Sequence, residues 1–219
     1  KSVTIGNLTD AYNRIAQGNG FYQEFVIDEA TNLLIDEYGS LCDNLHTDLH
    51  ECLGHGSGLL LRGVSPDSLK TYSSTIEEAR ADLFALYYLA DQKLVELGLV
   101  PNNEAHKSQY YSYIMNGAIT QLVRIKPGHQ IEEAHMRNRA LIARWCLTHG
   151  HGIVELVEHN NKSFINILNY PALRNLFAQL LAEIQRIKSE GDYDSARRLV
   201  EKYGVAIDKD LHHEVLTRY

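Results

Sequence analysis

His50-Glu51-Cys52-Leu53-Gly54-His55 sets two imidazoles five positions apart, with a carboxylate directly after the first. Zinc takes borderline nitrogen ligands and hydrolysis wants a base beside the metal. The commoner His-Glu-x-x-His pattern meets both demands because residues four apart share one helix face. Five residues at 3.6 per turn rotate the second ring by about 140° around the axis, so a regular helix points the two histidines apart. One π-type bulge, adding a residue to a turn, restores the common face, and Gly54 beside His55 eases the distortion. A π bulge is therefore predicted within Leu49 to His55, on a helix of residues 41–55 that runs out into Gly56-Ser57-Gly58. The competing pair, His46 and His50, is four apart, but Thr47 follows His46 where the base would stand.

A catalytic zinc usually holds three protein ligands and keeps a fourth position open for water. Glu77-Glu78-Ala79-Arg80-Ala81-Asp82 offers the third. Glu78 is the expected ligand. Asp82 lies four residues on along the same helix face, and with Glu77 it can orient the histidine rings from behind. Acidic residues in a first helical turn also complement the helix dipole, which is the plain alternative for Glu77.

Around these two segments the periodicity is mainly helical. Residues 1–26 show no sustained period and read as an irregular or mixed entry. A helix over 28–38 is expected to stop at Gly39, with Ser40 capping the next. Ser65-Pro66-Asp67 opens a short helix to Tyr72, and Ser74 and Glu77 form a capping box for a helix reaching Leu97, with Gly98 and Pro101 beyond. Helices follow over 103–125 and 131–148, separated by Pro127-Gly128. The period then changes to a β-hairpin across 153–168 that turns at Asn160-Asn161. Pro171 starts an amphipathic helix to Gly191, and two shorter helices over 193–203 and 208–219 finish the chain. The fold class is mainly α, a multi-helix lobe with one short hairpin, and nothing divides residues 1–219 into two domains.

The 219 residues are 44% hydrophobic and 22% charged with a net charge of −7, enough chain for one sizeable core. No apolar run approaches the roughly 20 residues a membrane span needs. The acidic balance and scattered basic residues exclude a phosphate-binding footprint, so neither nucleic acid nor membrane is an expected partner. Cys42, Cys52 and Cys146 are too few and too irregular for a disulfide scaffold, which suits a reducing, cytoplasmic setting. Cys52 is expected on the far side of its helix from His50, as a small buried residue. His149-Gly150-His151-Gly152 reads as a turn, His212-His213 as solvent-facing, and Tyr87-Tyr88 with Tyr110-Tyr111-Tyr113 as packing. Lys1-Ser2-Val3 at the start suggests a piece of a longer or processed polypeptide.

The pair of motifs resembles the signature of the dipeptidyl peptidase III family of zinc exopeptidases, His-Glu-x-x-Gly-His followed by Glu-Glu-Cys-Arg-Ala-Glu or Asp. Ala79 replaces the usual cysteine, at a position that supplies neither ligand nor base. The likeness extends through Glu133-Ala134-His135-Met136-Arg137-Asn138-Arg139 and through residues 183–193. It implies His50, His55 and Glu78 as ligands of one Zn2+ per chain, Glu51 as the base that activates water, His135 in transition-state stabilisation and Arg139 in holding substrate. It further implies a chain about three times longer, in two lobes with the peptide between them. This chain then corresponds to the helical lobe, and the missing second lobe joins an oligopeptide substrate as its partner.

The expected chemistry is zinc-assisted hydrolysis releasing dipeptides from the N-terminus of oligopeptides, with Glu51 taking a proton from water and returning it to the leaving amine. Spacing by itself says zinc hydrolase, so a zinc endopeptidase is the runner-up. A non-catalytic module with structural zinc is the alternative from another class. Structural sites usually close the fourth position with Cys or His, whereas here a glutamate fills the base position and another offers the third ligand.

Overall fold

A computed structural model describes residues 20–219, so the expected irregular entry lies outside the described residues as far as position 19. A five-residue helix α1 (Phe21–Phe25) leads into α2 (Glu29–Leu49), whose first turn is capped by Asp28 accepting from the Thr31 amide. Gly39 does not end it. Glycine in a helix interior costs about 1 kcal/mol, but both halves of α2 have apolar neighbours to bury against. Ile35 packs on the main core, and Cys42, Leu45 and Leu49 join a second cluster with Leu89 and Leu94. The predicted break at Gly39 and cap at Ser40 are therefore replaced by one 21-residue helix.

That helix passes directly into a π-helical turn, His50–His55, which is the predicted bulge. Gly54 has a negative φ, so its role is not backbone freedom. A Cβ there would lie 2.7 Å from the Cα and Cβ of Ala81, so the glycine lets the π turn touch the next long helix.

The segment after Ser65 forms turns and a short 3-10 stretch (Lys70–Tyr72) in place of the expected helix. Next comes α3 (Ser73–Leu89), without the capping box: Tyr72 occupies the cap position with no side-chain bond, and Glu77 is engaged by Arg80 one turn on and by His55 and Lys188 from outside the helix. The helix was expected to reach Leu97 but stops at Leu89, because Asp91 turns extended and caps α4 (Gln92–Glu96) by accepting from the Lys93 amide. Arg174 holds that break, donating to the Tyr87 carbonyl and to Asp91.

Next come α5 (His106–Ala118), a 3-10 turn (Thr120–Arg124) and α6 (Ala134–His149). Both helices are shorter than their periodicity suggested. Asn102 accepts the Glu104 and Ala105 amides ahead of α5, Gln121 donates to the Gly117 carbonyl at its end, and Glu133 caps α6. The hairpin is as expected: β1 (Val154–His159) pairs antiparallel with β2 (Lys162–Ile167), His159 opposite Lys162, with Asn160 and Asn161 at φ 52° and 59°. Left-handed conformation at both turn residues matches a type I′ turn. α7 (Tyr170–Glu190) follows with Asn169 as cap and ends at left-handed Gly191. α8 (Tyr193–Val200), a second π turn (Glu201–Val205) and α9 (Lys209–Arg218) complete the chain.

α3 lies at the centre, packed on α2, the first π turn, α6 and α7. Ile76, Ala79, Leu83 and Leu86 face the main core, and Arg80, Ala81 and Asp82 are buried as well. A helix buried on nearly every side carries its few polar groups only where partners meet them. No helix among the described residues is long and apolar enough to cross a membrane. Two further expectations fail: Cys52 is exposed, while His212 is 6% exposed with Nε2 bonded to the Ile125 carbonyl. The turn at His149–Gly152 and the packing of Tyr110, Tyr111 and Tyr113 are as read.

Candidate metal centre

The π turn and the second turn of α3 face each other, and their side chains interlock. His50 donates from Nδ1 to Asp82 Oδ1 at 2.6 Å, while His55 donates from Nδ1 to Glu77 Oε1 at 3.0 Å. Each ring thereby has its δ nitrogen occupied by a carboxylate and its ε nitrogen turned inward. His50 Nε2 lies 3.3 Å and His55 Nε2 3.7 Å from Glu78 Oε2, a buried oxygen with no hydrogen-bond partner. These donor atoms all lie within 4.8 Å of one another. Three ligands placed tetrahedrally about 2.0–2.1 Å from one ion are about 3.4 Å apart. Two imidazole nitrogens and a carboxylate oxygen, with carboxylates behind both rings, fit zinc.

A second group, His46, His50 and Asp82, also gathers metal-binding atoms. Its geometry is that of a carboxylate receiving donors: His46 Nε2 and His50 Nδ1 both point at the same oxygen, Asp82 Oδ1, at 3.1 and 2.6 Å. Asp82 Oδ2 accepts from Tyr113 Oη at 2.7 Å and Asn138 Nδ2 at 2.8 Å, so no lone pair of Asp82 is left for an ion.

Electrostatics follow these contacts. Burial works against a charged His50, but its hydrogen bond to Asp82 and the Glu78 carboxylate 3.3 Å from Nε2 outweigh this and push its pKa up to about 9. Burial likewise opposes the ionised Glu77 and Glu78. Arg80, Lys188 and His55 nevertheless bring Glu77 down to about 2, and the nearby His50 with the charge of His135 lowers Glu78. Asp82 is held well below the carboxylate range by His46 and His50 in spite of complete burial, whereas burial and the Asp82 charge raise the Tyr113 phenol.

The remaining sequence candidates occupy different places. His135, on the first turn of α6, brings Nδ1 to 3.4 Å from Glu78 Oε2 and is 56% exposed at its side chain. Glu51 is exposed on the π turn. Arg139 lies one turn beyond His135, half-buried, with its charge acting on the Tyr113 phenol.

Sequence reading missed the residues that hold these ones. Arg80 is fully buried and donates to Gly54 O at 2.6 Å, to both oxygens of Glu77 and to Ser57 Oγ, tying the π turn to α3. Lys188 of α7 reaches Glu77 at 2.5 Å. His46, Tyr113 and Asn138 saturate Asp82. The i,i+3 spacing of Glu77 and Arg80 was a usable signal for one contact. The others depend on which helices meet.

Residues 64–214 match the family model described as Peptidase family M49. Among curated proteins, dipeptidyl peptidase 3 of Rattus norvegicus is 26% identical over 95% of this chain, and that of Homo sapiens 25% over the same share. The chain spans 33% of each of those proteins, about a third of their length. Among solved structures, DPP III from Caldithrix abyssi superposes with a TM-score of 0.67 at 24% identity, covering 89% of this chain and 34% of that one. Dipeptidyl-peptidase III from Corallococcus sp. strain EGB gives 0.61 at 24% identity, covering 80% and 30%. These superpositions support the mainly helical fold with its hairpin.

Proposed function

The chain belongs to peptidase family M49, and from that premise we propose that it is the metal-bearing helical lobe of a zinc exopeptidase that releases dipeptides from the N-terminus of oligopeptides. The observation carrying this reading is the convergence of His50 Nε2 and His55 Nε2 on the unpartnered Glu78 Oε2. His50, His55 and Glu78 would hold one zinc ion, with Asp82 and Glu77 fixing the two rings. Zinc, when bound, supplies Lewis acidity toward a carbonyl oxygen and makes water a nucleophile near neutral pH.

The other roles belong to side chains of this lobe. Glu51, exposed directly after His50, has a carboxylate free to take the proton from water and return it to the nitrogen of the leaving amine. His135, exposed and beside Glu78, donates toward the oxygen on which negative charge develops. Arg139 steadies the peptide from the same helix. The remaining two-thirds of the length seen in curated relatives supplies the partner lobe that closes over the peptide. Three unpaired cysteines suit a cytoplasmic setting.

Zinc per chain, measured by elemental analysis after loosely held metal is removed, tests the site. One equivalent in the wild type with marked loss in Glu78→Ala supports it; equal content in both removes Glu78 as a ligand. Joined to its second lobe, Glu51→Ala is expected to keep zinc and lose hydrolysis by about 10²–10⁴-fold. A variant that kept both would leave the general base elsewhere.

A further inference from the structure

His46 is not one of the three ligands proposed above, yet its buried position puts it directly behind them. Its Nε2 donates to Asp82 Oδ1 at 3.1 Å, its ring stacks at a tilt 5.6 Å from that of Tyr113, and its Nδ1 is buried with no hydrogen-bond partner. An unsatisfied buried nitrogen is costly, so the bond made by the other ring nitrogen needs a reason. With Nε2 set against a carboxylate oxygen, the proton on Nε2 makes His46 a donor to Asp82.

The reason lies in Asp82. An aspartate bonded to a single histidine can rotate about its side-chain torsions and let the ring follow. Here Asp82 Oδ1 receives His50 and His46, while Oδ2 receives Tyr113 and Asn138. Donors from α2, α5 and α6 thus fill every acceptor position that His50 does not use, and the carboxylate has one orientation left. That orientation keeps the proton of His50 on Nδ1 and leaves Nε2 as the nitrogen facing Glu78.

We propose that His46 is a positioning residue for the metal ligand His50, acting through the Asp82 carboxylate it shares with that ligand. The inference rests on the metal site proposed above. It assigns His46 a donor's role, although His46 belongs to the alternative cluster of possible ligands, and this difference makes it testable. A glutamine amide nitrogen can take the place of an imidazole Nε2 as donor, but it is a poor zinc ligand. Leucine fills the space and donates nothing.

The experiment uses the whole 219-residue chain and two readouts: zinc affinity by competition with a chromophoric chelator, and the visible spectrum of the cobalt(II)-loaded protein. Far-ultraviolet circular dichroism of the metal-free forms checks folding. His46→Leu is expected to weaken zinc binding about 10–100-fold and to shift the cobalt bands. His46→Gln is expected to restore the wild-type spectrum and an affinity within about threefold of wild type. Should His46→Leu fail to fold, His46→Gln decides alone.

Unchanged affinity and spectrum in His46→Leu overturn the positioning role and leave the metal site standing, provided Glu78→Ala loses zinc. Loss of zinc in His46→Gln with retention in Glu78→Ala makes His46 a ligand and overturns both. Loss in both His46→Gln and Glu78→Ala overturns the positioning role alone. A wild-type chain that takes up no zinc overturns both.

Discussion

Alanine at position 54 sets local propensity against tertiary fit, and the two disagree even in sign. Helix propensity favours alanine over glycine by up to about 1 kcal/mol. The Cβ of Gly54→Ala, however, would stand 2.7 Å from the Cα and Cβ of Ala81 and 3.0 Å from its carbonyl oxygen. Those atoms belong to the central helix and cannot swing aside. Regaining an ordinary carbon contact of about 3.4 Å moves the π turn away from α3 by about 0.7 Å. Overpacking of this kind costs about 1–3 kcal/mol, so after the propensity gain a net loss near 1 kcal/mol is expected. With a urea slope of about 2 kcal/mol per molar, the unfolding midpoint falls by roughly 0.5 M.

The same displacement reaches the metal centre, because His50 and His55 ride on the π turn and Glu78 on α3. Metal–ligand distances tolerate about 0.2 Å, so zinc affinity should fall at least about tenfold. Urea titration of the metal-free protein and chelator competition measure the two effects. Leu59→Ala, at a side chain 85% exposed, serves as a control expected within about 0.5 kcal/mol of wild type. A Gly54→Ala protein that is as stable as wild type, or more so, and holds zinc as tightly would refute the close-approach argument.

Arg80→Met leaves the Gly54 carbonyl and Glu77 without their buried donor; with Lys188 still beside Glu77, a loss of roughly 2–4 kcal/mol is expected in urea unfolding, and a loss under about 0.5 kcal/mol would contradict it. Asn138→Leu removes one of the donors on Asp82 Oδ2 and is expected to cost about 1–3 kcal/mol in the same assay; an unchanged midpoint would mean that bond is idle. Glu77, lowered from 4.5 to about 2 on folding, stabilises the metal-free protein above about pH 4.5 and loses that contribution as pH falls toward 2. His50, raised from 6.5 to about 9, contributes fully below about pH 6.5 and loses its part as pH rises through 9. Urea midpoints measured from pH 2 to 10 should thus decline on both sides, and Glu77→Gln should flatten the acid limb; an acid limb unchanged in that variant would count against the Glu77 contacts.

Features set by neighbours in sequence were legible without coordinates. The five-residue spacing of His50 and His55 required an extra residue in the turn, and the π turn supplies it. Asn160-Asn161 specified its hairpin because both residues adopt left-handed backbone readily. Glu77, Glu78 and Asp82 meet the histidines as their helical spacing suggested. Features set by packing were not legible. Gly39 stays helical because distant side chains cover both halves of α2, and Gly54 is small because Ala81 lies against it. Glu77 left its expected capping box for Arg80, Lys188 and His55, groups from three different segments. His212 looked solvent-facing, but α9 turns it inward to the Ile125 carbonyl. Nothing local announces that His46, Tyr113 and Asn138 converge on one aspartate.

The central claim is that one metal ion sits between His50, His55 and Glu78. Crystals of the zinc-loaded chain, with diffraction recorded on either side of the zinc absorption edge, test it directly. The account predicts one anomalous difference peak bounded by His50 Nε2, His55 Nε2 and a Glu78 carboxylate oxygen. A peak bounded instead by His46, His50 and Asp82, or none at any of these residues, would contradict it.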